Sequence, residues 1–389
     1  MMRYNLVLLS AILTLTVAGP AFAQRVLTLE EARTGALRSS KTLQSAMISV
    51  ESAALDRKLR SYDLLPSLSA TAKLGLAYSE GDVGDVSGAL GLSVSQTVYD
   101  GGKTFLLMGI DSIAEEIAAT DARAEYLDVI NNVDSAFYAA LQAKASLESA
   151  QMDLDAYREH LRLAEAKLET GVIAKYDYME TEAETASKEA ALVQAQGAFL
   201  AAKSKLASLA GLSGPFDPES IDITRYEDWM KKVSGCSGDS MNAFIEAVFT
   251  RAQAENPDLK GASLSCDQAD QHVLLARADY LPSVSASASH SFNLESGRGL
   301  DVGDGSVSLS ASIPLDIWVT NVNVKSKRLS AKTEQLNREE TWRSLQVDIQ
   351  SAAYECVSSA RSVLSSRKAL EYAEAYYASA LEMFRLSAS

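Results

Sequence analysis

Leu65-Pro66-Ser67-Leu68-Ser69-Ala70-Thr71-Ala72 comes back as Leu281-Pro282-Ser283-Val284-Ser285-Ala286-Ser287-Ala288, 216 positions further along the chain. The same spacing carries Leu43 onto Leu259, Asp63 onto Asp279 and Asp100 onto Asp316. It also carries Ser135-Ala136-Phe137-Tyr138 onto Ser351-Ala352-Ala353-Tyr354. A register held without slippage over more than about 100 residues marks a tandem duplication. The chain therefore reads as two copies of one unit, repeat 1 over 24–215 and repeat 2 over 240–389. The polar stretch 216–239 between them reads as a linker.

Each copy gives its signals in one order. A helical stretch comes first, expected over 29–63 and 241–279; Thr28, Glu30 and Glu31 supply a polar cap and first-turn acids for the former. Pro66 and Pro282 then end the helix and force an extended backbone. Two strands follow, expected as hairpins over 67–99 and 283–318. In the first, Leu68, Ala70, Ala72, Leu74, Leu76 and Tyr78 alternate with Ser, Thr, Lys, Gly and Ala, and a Gly/Asp loop at 81–85 precedes the return. Period-two alternation gives each strand one apolar and one polar face. Next comes a helix without proline over 104–169, roughly 100 Å long at 1.5 Å per residue. A break at Thr170-Gly171 leads to a returning helix over 174–209, which makes an αα-hairpin. In repeat 2 the long helix is expected at about 322–386. Gly171 advanced by 216 falls on Ser387, so repeat 2 would stop at its helix turn without a returning helix.

A soluble sandwich shows the same alternation. Three features favour a membrane barrel. The strands run about 12 residues, where a tilted membrane strand needs about 9–11. Their polar face is almost all Ser, Thr and Gly, suited to a wet lumen. Aromatics sit toward the strand ends: Tyr62, Tyr78, Tyr99, Tyr280, Phe292 and Trp318. Two hairpins give only four strands, which cannot close, and a membrane tolerates no open edge. Three chains would supply twelve, so oligomerisation is a physical requirement of this reading.

The N-terminus fits an export signal over 1–23, with Arg3, an apolar run from Leu6 to Ala18, and Ala21-Phe22-Ala23 before Gln24. Position 24 is not Cys, so a lipid-anchored N-terminus is not indicated. No later stretch has 18 consecutive apolar residues, so no spanning helix is expected. The net charge of −15 argues against nucleic acid as a partner. His160, His272 and His290 have no Cys, Asp or Glu at ligand spacing. No P-loop, Rossmann fingerprint or nucleophile elbow occurs, so an enzyme, a metal centre or a cofactor is not expected. Cys236, Cys266 and Cys356 match no metal spacing; Cys236 and Cys266 could pair in an oxidising compartment.

Several motifs together resemble the TolC-like outer-membrane factors, the outer membrane efflux proteins. They are Leu27-Thr28-Leu29-Glu30-Glu31-Ala32, Leu65-Pro66-Ser67-Leu68, Ser95-Gln96-Thr97-Val98-Tyr99-Asp100-Gly101-Gly102 and Gly171-Val172-Ile173-Ala174-Lys175-Tyr176-Asp177. The resemblance implies an α+β, mainly α fold: two tandem repeats of helix, β-hairpin and long α-helical hairpin. It further implies a homotrimer whose twelve-stranded β-barrel lies among outer-membrane lipids and continues as an α-helical tunnel into the periplasm. The implied function is a passive exit duct of a tripartite efflux pump or type I secretion system. Its partners would be a periplasmic adaptor and an inner-membrane transporter. Carried over by motif, Lys167, Leu168, Gly171, Val172, Ile173 and Ala174 would form the adaptor-docking tip. Asp177 matches a position that holds the tip shut. The passage from barrel to tunnel would fall at Pro66, Gly101, Gly102, Pro282 and Pro314. Repeat 2 departs from the pattern by having Pro314 and Asp316-Ile317-Trp318 in place of the Gly-Gly pair, and the family's second docking turn and its tunnel-narrowing acidic residues find no counterpart. The competing reading is a periplasmic adaptor-like or other exported coiled-coil protein of a transport complex. Such an adaptor would not be expected to repeat two long Ser-alternating hairpins at a fixed offset.

Overall fold

The computed structural model describes residues 25–79, 82–295 and 299–387. The export-signal reading over 1–23 and part of the loop expected at 81–85 lie outside them, as does the Tyr78 side chain.

The elements follow the duplication. Strand β1 (Arg25–Leu27), helices α1 (Leu29–Ser39) and α2 (Lys41–Tyr62), strands β2 (Ser67–Ser79) and β3 (Asp82–Tyr99), and helices α3 (Lys103–Glu169) and α4 (Lys175–Ala210) come first. Strand β4 (Phe216–Pro218), a 3-10 turn at Ile223–Tyr226 and α5 (Glu227–Ser234) follow. Then come α6 (Asp239–Glu255), α7 (Pro257–Ala278), β5 (Ser283–Glu295), β6 (Gly299–Ser312) and α8 (Ile317–Ser387).

Two stretches expected as single helices are each divided. Over 29–63 the break falls at Ser40. The Ser39 hydroxyl donates to the Leu209 and Ala36 carbonyls, an alternative to continuing the helix. Over 241–279 it falls at Asn256-Pro257. Proline disfavours helix in the residue before it, and the Asn256 side chain accepts from the Leu259 N–H as a new cap. The stretch read as a plain linker also carries structure. Its β4 pairs in parallel with β1, Arg25 opposite Phe216 and Leu27 opposite Pro218. Leu27 and Phe216 are buried there, and Lys144 reaches Asp217 at 2.6 Å.

The chain forms two compact units that share α3. Of the described residues, one holds those up to Ser40 with Val129–Ile221; the other holds Lys41–Asp128 with those from Asp222 onward. In the first, α3 buries Val129, Val133, Ala136, Phe137 and Ala140, a stripe at helical spacing. Helix α1 lies so close to the end of α4 that a Cβ on Gly35 would collide with the Ala210 carbonyl oxygen.

The second unit holds an antiparallel four-stranded sheet in the order β2-β3-β5-β6. Its register aligns like with like across all four strands. One face carries the rows Ser67, Ser95, Ser287, Ser308 and Ser69, Ser93, Ser289, Ser306. The other carries Leu68, Val94, Ala288, Val307 and Ala72, Leu90, Phe292, Val302. A one-residue slip would mix the two faces, so the alternation itself fixes the pairing.

Candidate functional site

Three places carry the residues that the sequence singles out: the helix turn at Gly171, the strand–helix junctions, and the polar face of the sheet.

At the turn, α3 ends in a Schellman motif. The Val172 N–H donates to the Lys167 carbonyl at 2.8 Å and the Gly171 N–H to Leu168 at 3.0 Å. Gly171 takes φ +75°, the left-handed region, with nothing within 4 Å of where a Cβ would stand. The requirement for glycine here is conformational rather than spatial. Ala174 is extended at the start of α4, and its N–H donates to the Asp177 carboxylate at 3.1 Å. Within one chain, then, Asp177 caps its own helix. The structure brings Lys167, Leu168, Val172, Ile173 and Ala174 together around the turn. Val172 is 70% exposed and Tyr176, one residue into α4, 73%. Tyr176 and Met179 extend this exposed apolar surface and were not among the residues expected there.

The junctions show the duplication at atomic detail. The Leu65 N–H donates to the Tyr62 carbonyl at 2.9 Å just before Pro66, and the Leu281 N–H donates to Ala278 at 3.0 Å just before Pro282. After β3, Gly101 and Gly102 both take positive φ, +73° and +83°. Asp100 organises that turn. Its carboxylate accepts from the Gly102 N–H at 2.9 Å, the Thr104 N–H at 2.7 Å and the Thr104 hydroxyl at 2.6 Å. Burial alone would raise the Asp100 pKa, but these three donors outweigh it and hold the carboxyl below its usual range. Lys103 reaches Asp279 at 2.7 Å, which ties the start of α3 to the end of α7. In repeat 2 no glycine pair is needed. Pro314 lies in an extended segment, and α8 starts with the Val319 N–H on the Asp316 carbonyl at 2.9 Å.

On the polar face of the sheet, hydroxyls bond across strands: Ser67 with Ser95 at 2.7 Å, Ser69 with Ser93 at 2.6 Å, Ser287 with Ser308 at 2.8 Å and Ser289 with Ser306 at 2.9 Å. On the apolar face Val307 is 87% and Leu68 78% exposed. His290 lies in an apolar row, between Leu92 and Gly305 in register, with its ring edge-on to Phe292 at 4.7 Å. No group of His, Cys, Asp and Glu that could hold a metal occurs among the described residues, and no helix among them is long and apolar enough to cross a membrane. All three cysteines are free thiols, so Cys236 and Cys266 are not paired.

Comparison with known proteins agrees with this geometry. Among solved structures, the Campylobacter jejuni CmeC outer membrane channel superposes with a TM-score of 0.69 at 18% identity, over 90% of this chain and 74% of that one. The open state of the Neisseria gonorrhoeae MtrE outer membrane channel superposes with a TM-score of 0.67 at 20% identity, over 90% and 79%. In sequence, Protein CyaE of Bordetella pertussis is 22% identical over 269 residues, 67% of this chain. The chain spans 52%, about half, of that relative's length. The pattern of the outer membrane efflux proteins matches residues 33–212 and 248–385, most of both repeats. The chain belongs to the outer membrane efflux protein family.

Proposed function

We propose that this chain is one third of a passive exit duct in the outer membrane that extends into the periplasm. Three copies close a twelve-stranded barrel, and their helices continue it as a tunnel. The observation that carries this reading is the sheet in the second unit. Its outer strands β2 and β6, 13 and 14 residues long, leave open edges, and the face that carries Leu68, Leu92, Val94 and Val307 is mostly apolar, with those four side chains exposed. An isolated sheet of that kind would aggregate. Edge pairing with further copies satisfies the backbone, and lipid covers the apolar face. The serine rows then line the lumen, where hydroxyls that already bond one another offer water a polar wall.

A duct of this kind selects little. Substrate choice and energy belong to an inner-membrane transporter of a tripartite efflux pump or a type I secretion system, coupled through a periplasmic adaptor. The adaptor docks at the turn formed by Lys167, Leu168, Gly171, Val172, Ile173 and Ala174. The exposed Val172 supports this reading, since small apolar side chains around a glycine turn offer a groove to another helix tip. Pro66, Gly101, Gly102, Pro282 and Pro314 form the passage from barrel to tunnel. The test is native mass spectrometry of the protein extracted in detergent from its own membranes. A trimer is expected; a monomer recovered without detergent overturns the barrel. For the docking turn, Ala174→Cys is expected to crosslink to a co-expressed adaptor. A folded duct that gives no such crosslink removes that role.

A further inference from the structure

In the second unit, α6 and α7 meet at the Asn256-Pro257 elbow and both pack on α8. Two clefts open beside that elbow. The larger, about 730 Å³, is lined by Gln253 of α6, Lys260 and Ser263 of α7, and Arg338, Trp342 and Arg343 of α8. The other, about 540 Å³, takes the carboxylates Asp258, Glu340 and Asp348. At about 100° per residue, Arg338, Trp342 and Arg343 fall on one flank of α8, and Glu340 and Asp348 on the opposite flank. Helical phase has sorted the charges, so the carboxylates that could neutralise the arginines line the other cleft.

The larger cleft is therefore cationic. Glu339 is the one acid among its described lining residues, against Lys260, Arg338 and Arg343. Lys260 is already held by Glu116 at 2.8 Å. Arg338 and Arg343 are exposed, and neither side chain makes a hydrogen bond or ion pair among the described residues. Trp342 stands between them along the helix, half-buried, with the Phe249 ring edge-on to it at 4.7 Å. That contact holds the indole in one position at the cleft wall. A solvated helix face intersperses charges of both signs; a fixed indole flanked by two unpaired guanidinium groups departs from that pattern. The volume lies within the roughly 300–1,000 Å³ usual for small-molecule sites, and Gln253 and Ser263 add neutral polar groups that can orient a ligand.

We infer that this cleft binds small anions that carry a flat ring. A carboxylate, sulfonate or phosphate takes the guanidinium groups of Arg338 and Arg343, which match such anions with paired N–H donors. The ring lies against Trp342. Neutral ring compounds forfeit the charge-assisted bonds and cations are repelled, so the cleft selects by charge first and by shape second. All of its residues belong to the second unit, and the inference goes beyond the duct reading and stands or falls apart from the barrel and the docking turn.

The test uses the full chain extracted in detergent, carrying Trp229→Phe and Trp318→Phe so that Trp342 is its only indole. Titration with para-nitrobenzoate, whose nitro ring quenches indole fluorescence, is expected to give saturable quenching. The uncharged para-nitrobenzamide, of nearly the same shape, is expected to bind about ten-fold more weakly. Arg338→Gln with Arg343→Gln is expected to weaken benzoate binding about ten-fold, a factor of a few for each exposed guanidinium. Glutamine suits exposed helix positions, and circular dichroism checks that the variant is folded. Glu339→Gln is expected to tighten binding, because the cleft loses its own acid. Quenching that rises without saturating, equal binding of amide and benzoate, or a folded arginine variant that binds as before overturns the site. So does a Trp342 that neither compound reaches, which would show the cleft to be filled in the assembled protein.

Discussion

A Cβ on Gly101 would stand 2.8 Å from the Cβ of Leu281, so the turn that starts the first long helix is packed on the residue that precedes the second hairpin. Gly102, with φ +83°, has nothing within 4 Å of its own missing Cβ. The two adjacent glycines therefore separate conformational need from close packing. Gly102→Ala is expected to cost about 1–2 kcal/mol, the penalty of a left-handed backbone. Gly101→Ala adds an overpacking cost and is expected to lose about 2–4 kcal/mol in all. Thermal unfolding of both variants in detergent, followed by circular dichroism, checks this. Equal losses would show that the contact with Leu281 is not tight.

Asp100 supplies the cap for that same turn, and its effect depends on pH with a definite sign. Its folded pKa lies below the unfolded one because three donors stabilise the carboxylate. The stability it contributes is then full above the ordinary carboxylate range and is lost as pH falls through the depressed value. Asp100→Ala is expected to cost about 1–2 kcal/mol at neutral pH, as lost helix caps do. It should cost much less in strong acid, where the native carboxyl is protonated too. Unfolding midpoints of both proteins, measured from pH 7 into the strong acid below the ordinary carboxylate range, should converge only there. Parallel curves would mean that Asp100 acts through shape alone.

Asp177 is matched by motif to a gating position, yet in one chain it accepts from the Ala174 N–H. The two roles separate by substitution. Asp177→Asn keeps a side-chain oxygen and is expected to hold stability within about 0.5 kcal/mol, while Asp177→Ala loses roughly 0.5–1 kcal/mol. If the carboxylate also holds neighbouring copies together at a closed tip, Asp177→Asn should raise single-channel conductance in planar bilayers without changing the unfolding midpoint. Unchanged conductance would leave Asp177 as a cap only.

How much of this was legible in the sequence follows from the range of each signal. The serine alternation of β5 is local and repeats every second residue, so strand and faces show, although the hairpin expected over 283–318 ends at Ser312 and α8 starts at Ile317, ahead of the expected 322. The long α3 and α4 are equally plain, since nothing between Lys103 and Glu169 breaks a helix. Asn256-Pro257 was a visible stop that an otherwise helical composition obscured; the capping asparagine was the signal to weigh. The break at Ser40 was less visible, because its cause is the hydroxyl of Ser39 on Leu209, 170 positions away. The β1–β4 pair is likewise non-local, as three-residue strands carry no periodicity. At the candidate site the glycine turn was readable from Thr170-Gly171. The exposure of Tyr176 and Met179 was not, because an aromatic or a methionine at helical spacing reads equally well as core.

The three cysteines offer a direct check on packing in the second unit. Cys266 sits on α7, 6% exposed, and burial pushes its thiol pKa up. Cys236 and Cys356 are only half-buried. The thiolate is the reactive form, so a buried thiol with a raised pKa is slow on two counts. Iodoacetamide at pH 8 is therefore expected to label Cys236 and Cys356 in the folded protein at least about ten-fold faster than Cys266. All three should react alike once the chain is unfolded in guanidinium. Peptide mass spectrometry after timed quenching gives the three rates separately. Fast labelling of Cys266 in the folded protein would mean that α7 leaves its neighbours often enough to expose the side on which Cys266, Val273 and Ala276 are buried, and the second unit would have to be read as loosely packed.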